Sequence, residues 1–464
     1  MTLFTRVEAR DFRALFTRCV AGRPRGPAPP VVIQIRDEMR TVTATTPDGV
    51  TLTHTSPAPK ERDDHLLLPA TVLAEVEGGT DETVTLERQS KLLAVVRWHG
   101  GTKPRTLPVG LILPGKQHEI PESPELSPAS EKLLPALHEC GRSAARENGR
   151  FALSRVQLQG RTGRVVGTDG KIALLATGLK FPFPDDILVP ALPVLGSKPL
   201  MRSKDVRVGR TSSHLVVAAG PWSVWLPFDT EARYPDVLAL IPKQPPTVAR
   251  LDHDDVVELL KVLSGLPGKG EEDCPVTINV GSTVKIRGRD EKTQETQEVT
   301  LAQSTVSGPA QRFAFNRCIL ARALSLGCRI LKVTPGKPLV VEGEHFSVFA
   351  LALDSSLIVP PTDEVQKSSA VVAVSPTPTL AQPVPTLQRS NAMPPPDANG
   401  HTPPRGDPAD PLVAAEELRD ALADATSKAA RLVAALKAGR REKKVLASVF
   451  ANLKQLGLDS GGPP

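Results

Sequence analysis

The sequence predicts an α+β chain in which one domain pattern is written three times. Each copy has two helices backed by antiparallel sheets, and a disordered proline-rich tether and a C-terminal helix follow. Three observations carry this. One order of helix and strand patterns recurs three times before residue 360, each pass about 110–120 residues long. The strand patterns alternate apolar and polar residues and are separated by turn residues, as in half-buried antiparallel sheets. Composition then changes sharply, to text such as VSPTPTLAQPVPTLQ and AMPPPDANGHTPPRGDPADP.

Each pass opens on an amphipathic helix: DFRALFTRCVAG, SEKLLPALHECGRSAAR and DDVVELLKVLSG. Their apolar residues fall three and four apart, as Phe12, Leu15, Phe16 and Cys19 do. Pro135 is expected to interrupt the second of them. Alternating strands come next, in VVIQIRDEMRTVTATTPDGVTLTH, VQLQGRTGRVVGTDGKIALLA and VTINVGSTVKIRGRDEKTQETQEVTLA. A strand then runs into a second, short helix: LLLPATVLAEV, DILVPALPVLGS and FAFNRCILARALSLG. A last strand group closes each pass. The expected division is residues 1–115, 127–245 and 246–359 for the three domains. A linker over 360–411 and a helical tail over 412–458 complete the chain. In the tail Leu418, Leu422, Ala425, Ala429, Leu432 and Leu436 form the 4-3 seam of a coiled coil.

Composition excludes several functional classes. No apolar run approaches the ~18 residues that cross a bilayer, so no membrane partner is expected. The opening MTLFTRVEARDFRALF lacks the order of a signal peptide, and five scattered cysteines suit free thiols in a reducing cytoplasm. GLILPGKQ (residues 110–117) nearly spells a phosphate-binding loop. However, glutamine stands where a hydroxyl should meet magnesium, and no helix pattern follows. The nine histidines are dispersed with no partner cysteines, so no metal or cofactor is expected. With no nucleophile or acid–base constellation, the chain reads as a binding protein and not an enzyme. Net charge of +6 and pI near 9.1 permit a polyanionic partner. Aromatic residues are only 3% of the chain, too few for a base-stacking single-strand binder.

The second pass carries a family resemblance. GRFALSRVQLQGRTGRVVGTDGKIALLA (149–176), DILVP (186–190) and FDTEARYPDVLALIPK (228–243) are similar to the bacterial DNA polymerase III beta subunit, the sliding clamp. The third pass adds RFAFNRCILARAL and the closing SVFALAL, while the first fits through its opening helix and LLLPATVLAEV. Residue Lys171 stands where the family has a histidine, and Leu351-Ala352-Leu353 replaces a methionine–proline–methionine ending.

The resemblance implies three clamp domains per chain and a head-to-tail homodimer ring that encircles double-stranded DNA whatever its sequence, as a processivity factor in replication. Cations on the helices would face phosphates: Arg10, Arg13, Arg142, Arg146, Lys261, Arg317 and Arg322. A pocket for peptides from DNA polymerases and clamp loader subunits would be lined by Leu153, Thr168, Gly170, Lys171, Ile172, Pro235, Leu240, Phe349 and Leu351. The glutamine–leucine–x–leucine at 455–458 resembles such a peptide. A second class remains open, a scaffold that uses the clamp fold without encircling DNA.

Overall fold

A computed structural model describes residues 2–20, 28–58, 61–113, 115, 122–147 and 151–361. The tether, except its first two residues, and the tail helix with its seam and its 455–458 motif lie outside the described residues.

The first pass runs β1 (Thr2–Thr5), α1 (Arg6–Thr17), β2 (Val31–Arg36), β3 (Met39–Thr45), β4 (Thr51–Pro57), β5 (Asp64–Leu68), α2 (Thr71–Val76), β6 (Thr83–Arg88), β7 (Leu93–Gly100) and β8 (Lys103–Gly110). The second repeats that order with β9 (Ser127–Pro128), α3 (Leu133–Arg142), β10 (Arg155–Gln159), β11 (Arg164–Thr168), β12 (Ile172–Ala176), β13 (Asp186–Pro190), α4 (Lys198–Met201), β14 (Val206–Arg210), β15 (His214–Ala219) and β16 (Trp222–Pro227). The third has β17 (Thr247–Arg250), α5 (His253–Leu263), β18 (Pro275–Val280), β19 (Val284–Arg289), β20 (Thr296–Leu301), an added β21 (Thr305–Ser307), β22 (Gln311–Asn316), α6 (Arg317–Ser325), β23 (Ile330–Val333), β24 (Leu339–Glu342) and β25 (Phe346–Ala350). A strand leads each opening helix, a feature the helix patterns alone do not reveal.

Local chemistry sets the helix starts. Thr5 caps α1 in a reciprocal box: its hydroxyl accepts from Glu8 N (3.2 Å), and the Glu8 carboxylate accepts from Thr5 N (2.6 Å). Asp252 caps α5, and Asn316 accepts from the amides of Cys318 and Ile319 at the start of α6. Pro135 does not interrupt α3. The helix begins at Leu133, so the proline lies in its first turn, where the missing N–H has no intrahelical partner to lose. The short helix expected in DILVPALPVLGS is a 3-10 turn there, Pro193–Gly196, and the single turn α4 follows just beyond that segment.

Four antiparallel sheets result. A four-stranded sheet has the order β1-β6-β7-β8, and another runs β20-β19-β18-β22. The other two are shared between passes. β4 pairs with β16 (Leu52 opposite Val224) in an eight-stranded sheet, β5-β2-β3-β4-β16-β15-β14-β9. β12 pairs with β25 (Leu174 opposite Val348) in a nine-stranded sheet, β13-β10-β11-β12-β25-β24-β23-β17-β21. Each junction between passes is therefore a hydrogen-bonded ladder, not a side-chain contact alone.

One apolar core runs from Phe4 to Ala350, taking in the inner faces of α1, α3, α5 and α6 and the sheets beneath them. Helix and sheet approach closely where α3 crosses β11. A side chain at Gly167 would place its Cβ 1.9 Å from the Cys140 carbonyl oxygen.

Candidate partner groove and nucleic-acid interface

The ladder between β12 and β25 has two faces because strand side chains alternate. Val165, Leu174 and Ala176 point into the main core. Their neighbours Val166, Ala173 and Leu175 point the other way and form a second, smaller core with Val340, Phe349 and Val237. Residues 234–241 cover that face, with Tyr234, Leu238 and Ile241 packed on it. The Tyr234 hydroxyl donates to the Val166 carbonyl (3.2 Å), and burial pushes its phenol above the ordinary range. Asp236 accepts from Leu238 N (3.1 Å) and Ala239 N (3.2 Å), which starts the 3-10 turn Leu238–Leu240.

The Thr168-Asp169-Gly170 turn forms one edge of this face. Buried Thr168 donates to the Ile172 carbonyl (2.7 Å) and accepts from Gly170 N (3.0 Å). Asp169 accepts from the amides of Lys171 (2.8 Å) and Ile172 (2.9 Å). Gly170 takes a φ of 91° that a side chain would strain, and its nearest outside neighbour is Leu153. Ala152 N donates to the Arg233 carbonyl (2.9 Å), tying the Leu153 segment to the Pro235 loop.

The expected pocket residues thus gather on one seam, in different states. Gly170, Lys171 and Leu351 are exposed, the last at 61%, and Leu153, Ile172 and Pro235 are half-buried. Thr168 and Phe349 are buried, so they support the face and do not form an open lining. The side chain of Leu240 lies outside the described residues. Val166, Ala173, Leu175, Val237 and Val340 complete the site, and sequence reasoning omits them. The unbroken apolar runs in RVVGT and IALLA are the available signal, since a strand buried on both faces does not alternate.

The expected DNA-facing cations are less uniform. Arg10 bonds Asp11 (2.9 Å), Arg13 bonds Glu77 (2.6 Å), Arg142 bonds Glu139 (3.0 Å) and Lys261 bonds Glu258 (2.6 Å); all four remain exposed. Arg146 is exposed just beyond α3, with no ion pair to any described residue. Arg322 reaches from α6 to Glu139 on α3 (3.0 Å) and is mostly buried, so it links two passes across the seam. Arg317 is a correction. It is 3% exposed and its guanidinium donates to the carbonyls of Leu266, Pro267, Cys274 and Pro275, which removes it from any solvent-facing surface.

Among the described residues no three His, Cys, Asp or Glu side chains gather as metal ligands, and no helix is long and apolar enough to cross a membrane.

The described residues take the fold of a sliding clamp. They resemble the Pseudomonas aeruginosa DnaN sliding clamp (DNA polymerase III subunit beta) bound to griselimycin, at TM-score 0.61 and 15% identity over 76% of this chain and 99% of that one. A second structure of the P. aeruginosa subunit gives 0.61 and 16%, over 76% and 100% of the two chains. The Helicobacter pylori beta clamp bound to a DNA ligase peptide gives 0.59 and 13% over the same shares. No protein-family model matches the sequence, and no curated protein matches it. The likeness read from the TDG and RYPD segments is therefore to the right fold, at an identity of 13–16% to these structures.

Proposed function

We propose that this chain is a non-catalytic DNA sliding clamp. Residues 1–115, 127–245 and 246–359 form three clamp domains, half of a six-domain ring, and two copies meet head to tail to close it. The observation that carries this is the arrangement of strand edges. Two junctions between passes are continuous ladders, β4 with β16 and β12 with β25, while β8 and β20 end their sheets at the two extremes. A third junction of the same kind, β8 against β20 of a second copy, closes the ring. Val262 of α5, which packs against β20, is exposed and suits burial there.

Within the ring the helices hold duplex DNA by its phosphates, so binding is independent of sequence and weakens steeply with salt. Arg10, Arg13, Arg142, Arg146 and Lys261 are the proposed contacts. The groove over the β12–β25 seam takes peptides from DNA polymerases and clamp loader subunits, and tethers them during replication. A cytoplasmic location and the tether over 360–411 with its helical arm over 412–458 belong to the same proposal.

One observation favours a second reading, a scaffold that does not encircle DNA: four of the five remaining cations already hold carboxylates. Loading the full chain with a clamp loader and ATP onto a nicked circular duplex separates the two. A clamp co-elutes with the circle in salt that strips non-specific binders, and a scaffold elutes free.

A further inference from the structure

The five cysteines differ in kind. Cys19, Cys140 and Cys328 are buried, and each thiol donates to a backbone carbonyl: Cys19 to Leu15 (3.6 Å), Cys140 to Val165 (3.4 Å) and Cys328 to Phe346 (3.2 Å). Burial pushes all three thiols far above the ordinary range, which makes them inert toward oxidants. Cys318 is exposed and Cys274 half-buried, and the fold brings these two together. β18 pairs with β22 as far as Pro275 opposite Asn316, and the ladder continues by one residue, where Arg317 N donates to the Cys274 carbonyl (3.1 Å). The Nε of Arg317 donates to that same carbonyl (3.2 Å). Cys274 thus stands opposite Arg317, and Cys318 is the next residue, where the chain leaves the strand for α6. Opposite residues on paired strands lie about 5 Å apart, within the span that a disulfide bridges.

Both residues are held in place. The Cys274 thiol donates to the Lys269 carbonyl (3.3 Å), and the Asn316 side chain accepts from the Cys318 amide (2.9 Å). Asp273 and Cys274 take φ values of 60° and 44°, where non-glycine residues are rare, and the two bonds from Arg317 fix Cys274 there. Burial, then the charge of Cys274 and a side-chain hydrogen bond between the two thiols, hold Cys318 above the ordinary thiol range against the pull of Arg317. Cys318 therefore rests as the thiol.

We propose that Cys274 and Cys318 form a site of reversible oxidation, where hydrogen peroxide joins them in a disulfide that braces the α5–β18 connection against the start of α6. Cys318, the exposed member, reacts first. Its sulfur takes one peroxide oxygen as the O–O bond breaks, and the other oxygen leaves as water, so that a sulfenic acid remains. The Cys274 sulfur then displaces the sulfenic hydroxyl, which departs with the Cys274 proton as a second water. The two sulfurs lose two electrons and the peroxide gains them. A dithiol reverses the step by exchange and becomes a disulfide itself. Nothing in this chemistry requires a ring or DNA.

The test treats the folded full chain with hydrogen peroxide, removes the oxidant and counts free thiols by alkylation in denaturant. The count should fall from five to three, and dithiothreitol should restore all five. Peptide mapping without reductant should find Cys274 joined to Cys318. Because the cross-link closes a long loop in its native arrangement, the oxidised chain should melt at least about 3 °C higher, and Cys318→Ser should abolish that rise. An undiminished thiol count, a different pairing, a link between two copies, or sulfinic acids without the cross-link would overturn the proposal. A Cys274–Cys318 link that does not raise the melting temperature would overturn it as well, since the fold would not then hold the two sulfurs in bonding geometry.

Discussion

Arg317 opens α6 directly after the Asn316 cap, where sequence alone makes it a surface cation. Its surroundings are fixed by residues 42 to 51 positions away, the Leu266–Pro267 loop and the Cys274–Pro275 strand entry, and no local pattern announces them. Replacing it with methionine strands several carbonyls, so Arg317→Met should cost on the order of 3 kcal/mol in urea unfolding. An unchanged unfolding midpoint would contradict the buried role. His54 makes a similar point on the β4–β16 seam, where its buried ring lies 4.3 Å from that of Trp222. Burial holds its pKa below the usual value, helped by Arg40 and opposed by Glu8 and Asp11. The folded state therefore binds this proton less tightly than the unfolded one. Stability from this group is complete above the unfolded pKa of about 6.5 and is lost as pH falls below it. The melting temperature should drop between about pH 7.5 and about pH 5.5, and His54→Phe should flatten that drop. An equally steep profile in the variant would assign the loss to other groups, His138 among them.

At the scale of elements, what is legible is what is local. The TDG turn and the strand-to-helix VP are readable because each is decided within about four residues. The groove is only partly readable. Phe349 becomes its floor, with Val237 packed over it, because β12 pairs with β25, and that pairing joins residues 170 to 178 positions apart in sequence. Pro135 fails as a helix breaker for the converse reason: one residue of uncertainty in the helix start decides whether a proline is harmful. Within the groove, Leu351 is the residue whose exposure most invites a partner side chain. Leu351→Asp should change unfolding free energy by less than ~0.5 kcal/mol yet weaken a fluorescent clamp-binding peptide at least tenfold. Unchanged anisotropy titrations would move the binding site elsewhere.

For the whole molecule, the threefold order was legible because each pass spells the same succession of periodicities. Its assembly was not. Nothing in the alternation of β4 or β16 marks them as partners. In the proposed ring two copies surround DNA and hold it by enclosure more than by affinity. Enclosure has a signature that phosphate contacts lack, because it depends on whether the DNA has ends. The full chain loaded on nicked circular duplex should persist in high salt and leave rapidly once a single restriction cut makes the circle linear. Equal dissociation rates from cut and uncut DNA would contradict enclosure and leave the clamp fold to a scaffold.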